Sequence, residues 1–148
     1  MQRTLVLIKP DAMAKQLAGN IINELYRLEL KMIGLKLVNA QKELAEQHYS
    51  IHKEKPFFNK LVDHITGKLH NNENVIAMVY EGENAIEKVR DLAGKTNPEE
   101  ADFCTIRGKY GRFNSKNDCF ENLIHASDSE ENAKKEISIW FEESELIK

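Results

Sequence analysis

A chain of 148 residues is long enough for one domain with a real hydrophobic core. Its 21 basic and 24 acidic side chains leave a net charge of −3, without the basic excess of a nucleic-acid binder that works by neutralising phosphates. No apolar run approaches the roughly 18–20 residues of a membrane-crossing helix, and the first strand begins at once, so the expectation is a cytoplasmic protein with no membrane association.

Leu5-Val6-Leu7-Ile8 is a short continuous apolar run typical of a strand buried on both faces. Pro10 ends its ladder and leaves Lys9 at the strand's C-terminal end. In open sheets that edge is where ligands bind, although an isolated lysine there is also consistent with a solvated strand end. Residues 19–31 read as a helix whose apolar face is Ile21, Ile22, Leu25, Tyr26 and Leu28. Residues 33–38 alternate weakly and read as a second strand. A second helix is expected over 43–52. It would put His48 and His52 on one face, but no third residue at useful spacing completes a metal site.

Lys55-Pro56-Phe57-Phe58 opens a short helix running to about Ile65. Two adjacent aromatic residues cannot both enter the core of one small helix. One is free to stack on a flat ligand such as a base, or both serve packing between helices. Residues 66–74 are polar and turn-rich. Residues 75–80 form another buried strand. Asn84 is the expected cap of a helix that turns Ile86, Val89 and Leu92 inward, carries Arg90 in its last turns and ends at Gly94.

Residues 96–119 read as long and irregular, and such loops are commonly functional. This one carries Thr96, Arg107, Lys109 and Arg112, and the fork of Arg107 matches phosphate geometry. The two cysteines, Cys104 and Cys119, have neither metal-site nor disulfide spacing, which fits a reducing compartment. Leu123-Ile124 is the fourth strand, ending at His125. Ser127, Asp128 and Ser129 are all good helix caps, and Ser127 with Glu130 has capping-box spacing. A helix near 129–141 follows, with Ala133, Ile137, Trp140 and Phe141 recurring on one face. A histidine at a strand-to-helix junction is either a bystander before a cap or a nucleophile beside N–H groups that favour phosphate.

With the 43–65 helix pair and the last helix set aside, the order is βαββαβ. This predicts an α+β, ferredoxin-like sandwich, a four-stranded antiparallel sheet with helices packed on it, in one domain covering 1–148.

Taken together, Thr4-Leu5-Val6-Leu7-Ile8-Lys9-Pro10-Asp11, His48-Tyr49, Lys55-Pro56-Phe57-Phe58, Gly94-Lys95-Thr96-Asn97-Pro98, Thr105-Ile106-Arg107-Gly108 and Asn122-Leu123-Ile124-His125-Ala126-Ser127-Asp128-Ser129 resemble nucleoside diphosphate kinases, in order and over nearly the whole chain. The resemblance implies ping-pong transfer of a γ-phosphate from a nucleoside triphosphate, typically ATP, to a nucleoside diphosphate through a phosphohistidine. It makes His125 the nucleophile and Glu136 the acid orienting it, with Ser127 in support. Lys9, Tyr49, Arg90, Thr96, Arg107 and Asn122 match the residues that hold phosphates and sugar. Phe57 matches the stacking surface for the base, with Leu61 beside it. The implied cofactor is Mg2+ held through the nucleotide phosphates, with no protein ligand, and the implied assembly is a homo-oligomer, a hexamer before a tetramer or dimer.

The chain departs from the family pattern in the longer 67–74 and 111–120 segments, in Phe103-Cys104 before Thr105, and in Leu30 where a glycine is common. The competing reading is a non-catalytic nucleotide-binding module on the same fold. It would be favoured by loss of His125, Lys9 or Arg107, and all three are present.

Overall fold

The computed structural model describes residues 1–148. Strand β1 (Gln2–Ile8) runs down the middle of an antiparallel sheet completed by β2 (Lys31–Asn39), β3 (Asn74–Gly82) and β6 (Ile124–Ala126), in the order β2-β3-β1-β6. This is the expected ferredoxin-like sheet. Two further strands, β4 (Arg112–Asn114) and β5 (Cys119–Glu121), form a separate hairpin.

The helices are α1 (Pro10–Ala14), α2 (Ala18–Tyr26), α3 (Lys42–His48), α4 (Phe58–Ile65), α5 (Ala85–Ala93), α6 (Ile106–Tyr110) and α7 (Glu130–Trp140). They cover both faces of the sheet, so β1 is apolar from Leu5 to Ile8, after a buried Thr4. Leu5 and Leu7 join a core with Ala45, Val62, Ile137 and Trp140. Val6 and Ile8 face the opposite core, with Ile21, Leu25, Val89 and Ile106. The period of two assigns each β1 residue to one of the two cores.

That register also fixes the direction of His125. It pairs directly with Leu7 across β1 and β6. Opposed residues of an antiparallel pair share a face, so the imidazole points to the side of α3 and α7.

Several local expectations need correction. Pro10 opens helix α1, occupying the first helical position where its missing N–H costs nothing. Helix α2 stops at Tyr26, not Lys31. Its end tightens into i→i+3 bonds from Leu28 and Glu29, and Glu29 takes a left-handed φ of 54°. Helix α3 ends at His48, and Ser50–His52 form a separate 3-10 turn, so His48 and His52 share no helical face. Asn84 precedes α5 in the left-handed region without a side-chain cap bond. Of the three candidate caps of α7, Ser129 is the one used, its Oγ accepting from Asn132 N. Strand β6 ends one residue beyond His125, at Ala126.

The 96–119 segment is not irregular. It contains a 3-10 turn at Pro98–Glu100, then α6, then most of the hairpin. Gly94, at φ 85°, lets the chain pass against Thr105, where a Cβ would come within 2.3 Å of Oγ1.

Candidate active site

Lys9, Tyr49, Phe57, Leu61, Arg90, Thr96, Arg107, Asn122, His125 and Glu136 come from eight separate stretches of chain. All of them line one cavity of about 390 Å3. Ser127 lies just behind it.

The imidazole is held from the helix side. His125 Nε2 is 3.0 Å from Glu136 Oε2, one helical turn and a half into α7. Ser127 Oγ donates to the same oxygen at 2.6 Å and accepts from Leu5 N at 3.1 Å, which ties α7 to β1. An ionised carboxylate only accepts, so Nε2 carries the proton and Nδ1 keeps the free lone pair. The sequence left that choice of nitrogen open.

His48 packs edge-on against His125, with ring centroids 4.5 Å apart. Trp140 Nε1 donates to His48 Nδ1 at 3.2 Å, so the His48 proton sits on Nε2. Burial first, then the neighbouring His125, holds His48 well below the usual imidazole range. His48, His125 and Glu136 are close enough to suggest a metal site. The chemistry opposes it, because a proton on His48 Nε2 leaves that ring no lone pair to offer.

The cationic side of the cleft is built on backbone. Arg107 donates from Nε to Asn122 O, from one terminal nitrogen to Gly94 O, and from the other to Ile124 O, at 3.2, 2.7 and 2.8 Å. Burial, then the charge of Arg90, pushes its guanidinium down to about 10. Lys9 is buried, and its Nζ donates to Asn122 Oδ1. Burial lowers the Lys9 ammonium, while Asp11 pulls the other way. Asn122 also donates to Thr96 O at 2.9 Å, so one amide links β1, the 94–98 turn and the strand carrying His125. Tyr49 keeps its proton, because burial and then the Asp11 and Glu136 carboxylates raise the phenol.

Of the two adjacent aromatics, Phe58 packs against the core and Phe57 stays 46% exposed at the mouth of the cleft. Arg90 and Thr96 are exposed along the same cavity. Aromatic residues also stand exposed on strands at Phe113 and Phe120, on the hairpin rather than on the four-stranded sheet.

Sequence reasoning missed Asp11 and His64. Leu123 is fully buried at a φ of 72°, a strained value for leucine, directly before β6. Its N–H donates to Asp11 Oδ2 at 2.9 Å, and its carbonyl accepts from Lys9 N at 2.9 Å. Burial alone would raise the Asp11 carboxyl, yet Lys9, His64 and the Leu123 N–H together hold it well below the usual range. The only signal in the sequence was an acid in the first turn after proline.

His64 Nε2 lies 3.2 Å from Asp11 Oδ1. Burial, then Lys9, pushes His64 from 6.5 down to about 4. The folded state keeps this ring neutral where the unfolded chain takes up a proton. Its contribution to stability is therefore complete above pH 6.5 and is lost as the pH falls towards 4. Thermal unfolding across that window should drop more steeply in the wild type than in His64→Gln. Parallel profiles would remove His64 from the acid response.

An α+β sandwich that presents a carboxylate-held imidazole in a cleft of lysine and arginines is the layout of a phosphotransferase with a histidine carrier. A family model described as "Nucleoside diphosphate kinase" matches residues 2–146. Curated nucleoside diphosphate kinases of Archaeoglobus fulgidus and Pyrococcus horikoshii are 46% and 47% identical, over 99% of this chain and 91% and 88% of theirs. Among solved structures, a transition-state mimic of the Borrelia burgdorferi nucleoside-diphosphate kinase with vanadate and ADP is similar at a TM-score of 0.89 and 34% identity, covering 99% of this chain and 90% of that one. The Halobacterium salinarum enzyme in complex with CDP matches at a TM-score of 0.88 and 41% identity, over 99% and 91%. The chain belongs to the nucleoside diphosphate kinase family, and it is a phosphotransferase acting on nucleotides. No helix is long and apolar enough to cross a membrane.

Proposed function

We propose that residues 1–148 act as a single catalytic domain in which His125 Nδ1 is the phosphate carrier. The observation that supports this most directly is the grip of Glu136 on Nε2, which leaves Nδ1 unprotonated. In the first half-reaction Nδ1 attacks the γ-phosphorus of a nucleoside triphosphate. The N–P bond forms, the bond to the β–γ bridging oxygen breaks, and the nucleoside diphosphate leaves with that electron pair. The second half-reaction is the reverse, onto a second nucleoside diphosphate. The imidazole gains positive charge as it is phosphorylated, and Glu136, steadied by Ser127, stabilises that charge.

Phosphoryl transfer needs in-line positioning and charge stabilisation more than covalent help. Arg90, Thr96 and Arg107 are assigned to the terminal phosphates, Lys9 and Asn122 to the sugar hydroxyls, and Tyr49 donates its retained phenolic proton. Mg2+ fits as an ion carried by the substrate. The carboxylates of the cleft are already engaged, Glu136 by His125 and Ser127 and Asp128 by Asn132, while the phosphate side is cationic. Carried in by the nucleotide, such an ion would supply neutralisation of the transferring group's charge.

The base stacks on Phe57 beside Leu61. Stacking reads a π-face rather than hydrogen-bonding edges, so all bases are accepted and the enzyme serves both NTP and dNTP pools. Phe57→Ala should weaken every nucleotide by on the order of 1–3 kcal/mol in equilibrium titrations. A loss confined to one base contradicts the stacking role. The assembly is a homo-oligomer, a hexamer built from dimers before a tetramer or dimer, in the cytoplasm. Leu35 and Leu37, exposed on edge strand β2, support burial against another subunit.

The deciding experiment is incubation with γ-labelled ATP and Mg2+. Acid-labile, alkali-stable label that a nucleoside diphosphate removes is the expected result. Bound ATP without label would leave the regulatory-module reading in its place.

A further inference from the structure

We propose that the β4–β5 hairpin is a second wall of the nucleobase site, and that Phe113 and Phe120 on it bias the enzyme towards purine nucleotides. The inference rests on the kinase reading of the catalytic cleft and deepens it.

A second cavity, of about 490 Å3, lies against the first. The two share Lys9, Phe57, Leu61, Thr96 and Asn122. His125, Arg90 and Arg107 line only the catalytic one, and the hairpin lines only the second. The order of residues from His125 outward therefore runs from cationic, through the shared lysine and amide, to aromatic. A nucleotide has the same order from phosphate through sugar to base. The second cavity is mostly apolar, which suits a flat heterocycle and not a phosphate.

Phe113 and Phe120 meet edge to face, with centroids 5.9 Å apart, and remain 40% and 39% exposed. Together with Phe57, three half-open aromatic rings surround one space. Such a cluster on a soluble surface marks a binding site.

The hairpin is fixed in place rather than loose. Glu121, 2% exposed, accepts from Arg112 Nε at 2.7 Å and Asn114 Nδ2 at 2.6 Å, and pairs with Lys15 of the turn after α1 at 2.5 Å. His70 Nε2 approaches Glu121 at 3.2 Å, and Asn117 Nδ2 donates to Leu69 O at 2.8 Å. Lys60 of α4 reaches Asp118 at 2.6 Å. The two segments that are longer than usual for the family thus brace one another, and a preformed wall costs little ordering when a ligand binds. A bicyclic purine presents more π-surface to this wall than a pyrimidine does, so it gains more from each added ring. The result is a graded preference laid over broad acceptance.

The test compares the full-length wild type with the Phe113→Leu/Phe120→Leu double variant. Calorimetric titrations with Mg2+ would use ADP, CDP and the base-free probe ribose 5-diphosphate. ADP should weaken about tenfold and CDP about threefold, with ribose 5-diphosphate within about twofold of wild type. The Phe113→Tyr/Phe120→Tyr variant keeps both rings and should restore ADP affinity. Unchanged ADP affinity, or equal losses for ADP and CDP, overturns the purine wall. A parallel loss for ribose 5-diphosphate also overturns it, because the hairpin would then act on the cleft as a whole. Failure of the kinase reading shows separately, as absence of acid-labile label on the wild type.

Discussion

His125→Ala should lose the acid-labile label from γ-labelled ATP completely and cut transfer between nucleotides by at least about 10^4-fold. The substitution removes the nitrogen proposed as the phosphate carrier, and no neighbour can replace it. His48 is the nearest candidate, but its Nδ1 is occupied by the Trp140 N–H and its Nε2 carries the proton. The fold should tolerate the change, within about 1 kcal/mol by denaturant unfolding. Glu136 keeps its bond from Ser127 and sits in a cleft that water can enter. Nucleotide binding should persist, because the substitution leaves untouched Lys9, Asn122 and Phe57, the residues proposed above to hold sugar and base. Turnover near the wild-type rate would rule out His125 as the carrier.

For Arg107→Ala the expected outcome is a combined loss, of turnover and of stability. Arg107 spends three N–H groups on the carbonyls of Gly94, Asn122 and Ile124. Two of those carbonyls flank the strained Leu123 and lead directly into His125. The guanidinium has five N–H groups, so two remain for phosphate. Truncation leaves buried carbonyls unpaired and should lower stability by about 3 kcal/mol, as removal of charge-assisted bonds does. It should also lower turnover at saturating nucleotide by at least about 10^2-fold, since the charge acts most strongly on the transferring phosphoryl group. Arg107→Lys separates the two roles. Lysine keeps the charge but cannot span three carbonyls, so part of the turnover should return while stability stays low. If Arg107→Ala unfolded like the wild type and lost only nucleotide affinity, both roles would be wrong.

The core elements were legible because their signals are local. Continuous apolar runs at 5–8 and 75–80 mark strands buried on both faces, and both cores confirm why they had to be apolar. Helix ends were less legible, because they depend on backbone geometry as well as composition. Glu29 and Asn84 adopt left-handed conformations that nothing in their immediate neighbours announces. Ser127, Asp128 and Ser129 were equally good caps by type. Only the fold shows that Ser127 is committed elsewhere, between Leu5 and Glu136. The hairpin at 112–121 was read as part of a loop because each strand is three residues long, too short for a periodic signal.

The sequence by itself determined the strand-helix order, the two-sided burial of β1 and, through its motifs, the kinase family. These are set by residue type at short spacing, which a linear reading captures. Only the tertiary structure decided which nitrogen of His125 is free, that Asp11 holds the strained Leu123, and that two long segments brace each other beside Phe57. Those features depend on pairs such as Asp11 with Leu123 and His70 with Glu121, which are far apart in the chain. A contact of that kind leaves no periodicity in either partner's neighbourhood, so it is set only when the sheet register and helix packing bring the two ends together.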